Sequence, residues 1–229
     1  MPDQFLLLDV SSAPIPDAVS YMEPVSAPVN YRDKAKIDAY VAEKTAERMA
    51  GVALDIDLAQ VTGIAGWRVG EPEPFIYTIV DEPFSLTPKC EAGMLGDLVV
   101  DMDWGKTRLI TYGGFNFDLP LLMRRARYLG VDFPILNLDR YRSPHIDLCE
   151  MLSDREWKRR RPLSFYVRRL GWTDLRKPLS GEEEARVLET GRWAELEASL
   201  HHDITALYRL TQWLGIWKPE QARELEPTL

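Results

Sequence analysis

The sequence is poor in cysteine and histidine. Of its 229 residues, two are cysteines and three are histidines. Cys90 and Cys149 lie far apart, and neither belongs to a pair with metal-ligand spacing. The sequence therefore predicts neither a cysteine-held metal nor a disulfide-stapled secreted domain, and we expect an intracellular, reduced protein.

Long apolar segments are lacking as well. The longest ones, such as residues 5–8 and 61–69, fall far short of the roughly 20 residues that a membrane span requires. The N-terminus does not show the charged start, apolar middle and small-residue cleavage site of a secretory signal. We expect a soluble, cytoplasmic protein with no membrane partner.

The composition favours one α/β domain. At 229 residues, with 45% hydrophobic and 28% charged residues, the chain is long enough for one sizeable core and too short for two. The sequence predicts a single domain over residues 1–229, with its core in residues 5–215.

Charge is distributed unevenly along the chain. The formal net charge is −8, yet residues 118–180 carry 14 Lys and Arg against 8 Asp and Glu, a net of +6, so the rest of the chain carries −14. In this basic part, aromatic residues, among them Trp157 and Trp172, are interleaved with a set of cations. These cations are Arg155, residues 158–161, Arg168 and Arg169. Such a mixture is typical of a groove that follows a nucleic-acid backbone and stacks bases. A solvated helix face with core aromatics explains the pattern equally well.

Hydrophobic periodicity predicts alternating strands and helices. A buried strand runs from residue 5 to a loop that begins after Asp9, and an amphipathic helix outside the sheet follows it. The remaining chain predicts a hairpin, a helix, a strand and three more helices. The predicted helices are residues 31–50, 92–101, 119–129, 164–170 and 193–214, and the later strands are residues 61–69, 74–80 and 108–112.

Three carboxylates occupy positions where structure alone does not require them. Asp9 ends the first strand, Asp118 lies at a loop-to-helix junction, and Asp203 lies within an apolar helix. An Asp at a helix start usually caps the helix, but a carboxylate on an apolar stripe costs free energy unless it is paired or binds a metal. Brought together, the three would suit Mg²⁺ or Mn²⁺, with two ions about 3.5–4 Å apart.

Three segments around these carboxylates resemble known motifs. Residues 110–120, Ile-Thr-Tyr-Gly-Gly-Phe-Asn-Phe-Asp-Leu-Pro, resemble the second exonuclease motif of family B DNA polymerases, Asn-Gly-x-Asn-Phe-Asp-x-Pro. Residues 8–14 are similar to the first motif, Asp-Ile-Glu-Thr-x-Pro, and residues 202–207 resemble the third. Residues 30–33, 53–55, 64–67 and 145–148 are similar to stand-alone predicted exonucleases related to that polymerase domain. Residues 5–215 thus resemble the DEDD (DnaQ-like) 3′→5′ exonuclease superfamily.

The resemblance implies a fold and a chemistry. The fold would be ribonuclease H-like, an α/β domain whose mixed central sheet is flanked by helices. The activity would be metal-dependent 3′→5′ exonuclease action on DNA, in proofreading or end processing. Asp9, Asp118 and Asp203 would act in catalysis and hold two Mg²⁺ or Mn²⁺ ions. Partners would be single-stranded DNA or 3′ ends, and a DNA polymerase or another replication protein.

The motifs depart from the family pattern at three positions. Ser11 stands where the first motif has its Glu, and Gly113 stands where the second has its Asn. Ser199 stands four residues before Asp203, where one branch has a Tyr, and Ala198 stands where the other branch has its His. A serine hydroxyl is a weaker ligand than a carboxylate, and a missing positioned base costs about 10²–10⁴ in rate.

Several residues are candidates to compensate. His202 lies one helical turn from the usual base position, and we include it among the catalytic residues. Asp57 and Glu23 could each supply the missing carboxylate, and Asp147 could approach the same cleft, although bonding to nearby backbone explains Asp147 better. The residues predicted to contact nucleic acid are Ser11, Asn116, Phe117, Arg159, Arg160 and Arg161.

The departures leave two other functions open. An exonuclease fold without its activity would serve as a nucleic-acid-binding or scaffolding module. A ribonuclease of the same superfamily is the other alternative, because the motifs specify phosphodiester chemistry and not the sugar.

Overall fold

A five-stranded mixed sheet forms the centre of the computed structural model, which describes residues 4–79 and 88–217. The strands are β1 (Gln4–Pro14), β2 (Ala59–Arg68), β3 (Phe75–Thr78), β4 (Thr107–Thr111) and β5 (Ile146–Asp147). Their order across the sheet is β3-β2-β1-β4-β5. β1 pairs antiparallel with β2 and parallel with β4, so it is the central strand. The β2–β3 hairpin predicted from the sequence is present.

Helices cover both faces of this sheet. They are α1 (Lys34–Ala50), α2 (Pro88–Val100), α3 (Asp118–Leu129), α4 (Leu148–Leu152), α5 (Leu163–Arg169), α6 (Gly181–Glu184), α7 (Val187–Thr190) and α8 (Trp193–Trp213). Asp33 caps α1 by accepting from the Ala35 amide at 2.9 Å. No side chain of α1 is buried, as expected for a helix outside the sheet. None of the helices in the described ranges has the length and apolar character to cross a membrane.

Strand alternation divides the interior into two cores. Leu6 and Leu8 point to one face of β1, where they pack with residues of α2 and α3 such as Leu95 and Leu122. Leu7 points to the other face and packs against α8 at Leu200. The continuous apolar run from Leu6 to Leu8 is what a strand buried on both faces requires.

The first strand is longer than its sequence predicted. It was expected to end at Asp9, but β1 continues to Pro14, with Asp9 opposite Ala65 and Ser11 opposite Gly63. The polar residues that suggested a loop remain paired with β2, and Ser12 donates a buried hydrogen bond to the Ala53 carbonyl at 2.7 Å. Tertiary pairing outweighs local polarity there. The expectation of Asp9 at a strand end was therefore wrong.

Asp9 nevertheless lies beside the end of a neighbouring strand. The parallel pairing of β1 with β4 extends only to Leu7 and Ile110. The chain leaves β4 after Thr111 and enters the segment that leads to Asp118. The sheet thereby brings the first two motif segments to the same edge. Residue 80, at the end of the predicted third strand, lies outside the described residues.

Candidate active site

Asp9 projects from β1 towards α8. Leu7, Asp9 and Ser11 share one face of the strand because side chains alternate. Leu7 packs in the core that contains Leu200, and a Cβ placed on Gly63, opposite Ser11, would come within 2.5 Å of Leu200 Cδ1. This face of the sheet thus lies directly against α8, the helix that carries Asp203.

Asp118 is the first residue of α3 and is buried. The preceding loop is fixed by Asp147, whose Oδ1 accepts from the Gly113 amide at 2.9 Å and whose Oδ2 accepts from the Phe115 amide at 3.0 Å. Gly113 has a φ of 80°. Both Gly and Asn tolerate this left-handed conformation, which explains why Gly113 can stand where the family motif has Asn.

The structure confirms the backbone-bonding interpretation of Asp147. Besides holding the loop, Asp147 Oδ1 accepts from the Cys149 amide at 2.9 Å and from the Glu150 amide at 3.2 Å, and so caps α4. Burial, and then the nearby Asp147 charge, raise the pKa of Asp118 to about 8. The two carboxylates are therefore neighbours, one committed to the backbone and the other largely desolvated.

Asp203 lies on the sheet-facing side of α8, between buried residues such as Leu200 and Ile204. Its Oδ1 is 2.8 Å from His202 Nδ1, and its Oδ2 accepts a hydrogen bond from the Lys177 ammonium. Only 17% of the Asp203 side chain is exposed. The free-energy cost of a carboxylate in this apolar setting is thus offset by the Lys177 ion pair and the His202 contact.

Asp9 is affected electrostatically by the other two aspartates. Burial raises the pKa of Asp9 well above its ordinary value, and the charges of Asp203 and Asp118 raise it further. Lys177 acts in the opposite direction, and Glu184 adds to the rise. The Asp9 carboxylate on β1 therefore lies within electrostatic range of carboxylates on α3 and α8, although the sequence separates them widely.

Glu184 is a member of this site that the sequence did not reveal. It ends α6, which begins with a capping box between Ser180 and Glu183 and packs against β1. The Glu184 side chain is 13% exposed, and its Oε1 lies 2.8 Å from Lys177 Nζ. In the sequence it belongs to an acidic run, residues 182–184, that has the pattern of a solvated helix start. No local signal distinguished it.

The predicted substitutes for the missing family residues have different environments. His202 is buried beside Asp203, and its catalytic role stays a prediction. Asp57 is bound by Arg124 at 2.6 Å and by the Tyr128 hydroxyl at 2.7 Å, and Glu23 is exposed. Neither of the last two contacts the three aspartates.

Ser199, at the Tyr position of the third motif, is fully buried. Its hydroxyl accepts a hydrogen bond from the Leu179 amide at 3.0 Å. This serine therefore anchors the backbone just after Lys177. Ser199 therefore has a structural role in this chain, which the comparison with the family's tyrosine position did not predict.

The three arginines predicted to contact nucleic acid differ in exposure and in ion pairing. Arg159 is exposed and pairs with Asp154 at 2.8 Å. Arg160 is only 16% exposed in its side chain and pairs with the buried Glu150. Arg161 is exposed and lies 6.0 Å from the centre of the Phe165 ring. Arg159 and Arg161 are thus exposed, Arg159 within surface ion pairs, whereas Arg160 is engaged within the fold.

The other residues predicted to contact nucleic acid flank the aspartates. Asn116 is exposed, and its amide donates to Glu150 at 3.3 Å, while Phe117 packs partly into the first core. Ser11 is 4% exposed, and its hydroxyl has no hydrogen-bond partner among the described residues. A pocket of about 520 Å³ opens next to Asp147. It is lined by residues that include Phe115, Arg140, Tyr141 and Arg155.

The donor chemistry of the site fits Mg²⁺ or Mn²⁺. Asp9, Asp118, Asp203 and Glu184 offer hard carboxylate oxygens from separate elements. The unpartnered Ser11 hydroxyl lies on the same strand face as Asp9. Within residues 4–79 and 88–217, no three acidic, histidine or cysteine side chains are already spaced to grip an ion.

Comparison with known proteins supports the fold. The chain matches a family B DNA polymerase from the hyperthermophilic archaeon Pyrobaculum calidifontis with a TM-score of 0.54 and 13% identity, over 93% of this chain and 25% of the polymerase. Two structures of exonuclease I, the second bound to product, give TM-scores of 0.42 and 0.40 at 12% and 10% identity. These matches cover 97% and 98% of this chain and 43% and 46% of theirs.

The sequence matches no protein-family model and no curated protein. The chain spans about a quarter of the polymerase that it matches. The sheet order, the flanking helices and the polymerase match all agree with the resemblance of the three motifs. The chain therefore has a ribonuclease H-like α/β fold, with a mixed five-stranded sheet flanked by helices.

Proposed function

We propose that the protein is a divalent-metal-dependent 3′→5′ exonuclease that acts on single-stranded DNA. The convergence of Asp9, Asp118 and Asp203 from three separate elements carries this proposal. Like charges gathered in a poorly solvated site raise the free energy of the folded state. Such groupings are characteristic of functional sites.

Each side chain of the site has a task in this proposal. Asp9, on the central strand, lies within electrostatic range of both other aspartates, and Asp9, Asp118 and Asp203 together would hold the ions. His202 would orient Asp203 through their 2.8 Å contact. Bound divalent ions would supply charge to activate a water molecule and stabilise the leaving oxygen of a phosphodiester.

DNA is the proposed polymer because the three motifs resemble those of family B DNA polymerases. Arg159 and Arg161, both exposed, would contact the phosphates of the incoming strand. The acidic charge elsewhere on the chain would repel the DNA strand and so keep it on the basic part, residues 118–180. Work on the 3′ ends left by a DNA polymerase is the proposed context.

One observation favours a second function. The Lys177 ammonium is paired with Asp203 and Glu184, so the carboxylate site is partly neutralised by the chain itself. A protein that kept this arrangement permanently would bind nucleic acid without cleaving it. The alternative is therefore a nucleic-acid-binding or scaffolding module with an exonuclease fold.

Digestion of 5′-labelled single-stranded DNA in Mn²⁺ separates the two functions. The wild-type protein should give a ladder of products shortened from the 3′ end, and Asp9→Asn and Asp203→Asn should slow it by at least about 10²-fold. Asp38→Asn, on the exposed helix α1, is the matched control. A ladder that persists in both site variants would reject the assignment. Binding without cleavage, on DNA and on an RNA of the same sequence, would establish the module.

A further inference from the structure

Residues 177–184 form a short segment that contacts α8 and ends in α6, a helix that packs against β1. Within it, Leu179 is buried in the second core, and its amide donates to Ser199. Ser180 then caps α6, which is four residues long. These two anchors place Lys177 at one end of the segment and Glu184 at the other, both within reach of Asp203.

The Lys177 ammonium is held by two carboxylates. It donates to Asp203 Oδ2 and lies 2.8 Å from Glu184 Oε1. Burial alone would lower the pKa of Lys177, but the charges of Asp203 and Glu184 outweigh burial and raise it. The group therefore stays positively charged, and it also lowers the pKa of Asp9 against the effect of the other carboxylates.

Glu184 lies within electrostatic range of Asp9, on the strand whose motif lacks its second carboxylate at Ser11. Helix α6 packs against β1, and Glu184 contributes to the charge felt by Asp9. On the same strand face, the buried Ser11 hydroxyl has no partner among the described residues. A serine at this position occupies less volume than a glutamate, and it leaves an unsatisfied polar group pointing into the site.

We propose that the 177–184 segment completes the cation centre and also controls access to it. Glu184 serves as the fourth carboxylate in place of the glutamate missing at Ser11. The Lys177 ammonium occupies the centre in the absence of metal, and a divalent ion enters only by displacing it from Asp203 and Glu184. This inference rests on the proposed metal-dependent function.

The displacement is physically reasonable for a lysine. Its ammonium is a compact single charge on a flexible four-carbon stem, and the Lys177 side chain is 30% exposed, so it can swing to solvent. A divalent ion among the same carboxylates brings twice the charge, and its affinity depends on the charge and number of its ligands. The wild-type protein should therefore bind metal weakly, because metal binding must first break two ion pairs.

Mn²⁺ affinity, measured by calorimetry without nucleic acid, tests the role of Lys177. Lys177→Met should bind Mn²⁺ roughly tenfold more tightly than the wild type, or better, because the competitor is gone. Lys106→Met is the matched control, since Lys106 forms a comparable pair with Asp103 at 2.5 Å on the surface. Equal affinities in the wild type and Lys177→Met would overturn the proposal.

The role of Glu184 is tested in the Lys177→Met background, where competition is absent. Adding Glu184→Gln should weaken Mn²⁺ binding by roughly tenfold, because one charged ligand is lost. Adding Glu182→Gln, an exposed neighbour with the same change in charge, should leave affinity unchanged. If the two double variants bind Mn²⁺ equally well, Glu184 is not a ligand.

A measurement on the unmodified protein covers the case in which Lys177→Met does not fold. The ¹⁵N signal of the Lys177 ammonium, assigned through its loss in Lys177→Arg, should shift as Mg²⁺ is added. Mg²⁺ binding that requires Asp9 and Asp203 but leaves this signal unmoved would refute displacement. Tight Mn²⁺ binding by Lys177→Met with no cleavage of DNA or RNA would instead reject the nuclease function and leave this inference standing.

Discussion

Asp118 and Asp147 show how two neighbouring carboxylates acquire different roles. Asp147 accepts four backbone hydrogen bonds, from residues 113, 115, 149 and 150. Asp118 is buried, and its pKa is raised from 3.8 to about 8 by burial and by Asp147. The Asp147 carboxylate holds the loop in place, and the Asp118 carboxylate remains available to a cation.

The raised pKa of Asp118 predicts how stability depends on pH without metal. The folded protein binds more protons than the unfolded chain between pH 3.8 and about 8. Its free energy of unfolding should therefore fall as pH rises through this window. Thermal unfolding in EDTA from pH 5 to 8 should show a melting temperature that declines towards pH 8.

Asp118→Asn removes the titrating group and is the control for that measurement. Its melting temperature at pH 8 should exceed that of the wild type, by about 2–4 °C for each kcal/mol recovered, and its pH slope should be shallower. Asp38→Asn, on the exposed α1, should reproduce the wild-type slope. An Asp118→Asn protein that melts lower at pH 8, with the wild-type slope, would contradict the explanation.

Arg160 and Arg159 are adjacent but should respond differently to replacement. Arg160 pairs with Glu150, whose side chain is 6% exposed and whose other partners are Arg140 at 3.2 Å and Asn116 at 3.3 Å. Arg160→Ala should lower the free energy of unfolding by about 2–4 kcal/mol, because a buried carboxylate loses its main partner. Arg159→Ala removes only exposed pairs and should change it little. Equal effects in urea denaturation would refute the distinction.

At the level of elements, the sequence predicted those parts whose pattern is local. The periodicity of α8 and the motif at residues 110–120 placed Asp203 in a helix and Asp118 at a helix start, as observed. The extension of β1 beyond Asp9 was not predictable, because Ser11 and Ser12 are polar and their place in the strand depends on pairing with the distant β2. Local polarity says nothing about a strand supplied from a distant part of the chain.

Lys177 and Glu184 were missed for a related reason. Both depend on a segment whose position is set by distant contacts, the burial of Leu179 and its bond to Ser199. In the sequence, one is a lysine before a proline, and the other belongs to an acidic run. Motif comparison predicted the departure at Ser11, but it could not indicate that the fold brings Glu184 within electrostatic range of Asp9.

The hydrogen bond between the Leu179 amide and Ser199, which anchors the 177–184 segment to α8, can be tested by substitution. Ser199→Ala should lower the free energy of unfolding by about 1–3 kcal/mol, since it leaves the buried Leu179 amide without its acceptor. Ser164→Ala, at an exposed position of α5, should have little effect. Equal urea midpoints for the two variants would show that the 177–184 segment is held in place by other contacts.

At the scale of the whole molecule, charge is segregated. The net charge of −8 comprises +6 in residues 118–180 and −14 elsewhere. The chain is thus expected to approach a polyanion with its basic part and to repel it elsewhere. Nucleic-acid affinity should fall steeply with salt despite the acidic total.

Replacement of Arg159 and Arg161 by Ala tests that expectation. The plot of log affinity against log salt concentration should lose about one unit of slope for each phosphate contact removed. Arg186→Ala, an exposed arginine outside the basic part that pairs with Glu189 at 3.0 Å, should keep the wild-type slope. An unchanged slope in the double variant would assign both arginines to a solvated surface.

The carboxylate centre is most directly tested by a crystal structure with Mn²⁺ and a short single-stranded DNA, using the anomalous scattering of manganese. We expect an anomalous peak bounded by Asp9, Asp118 and Asp203, with a DNA 3′ end beside it and the Lys177 ammonium withdrawn from Asp203. DNA bound on the protein with no manganese at these aspartates, and Lys177 still paired with Asp203, would refute the proposed centre.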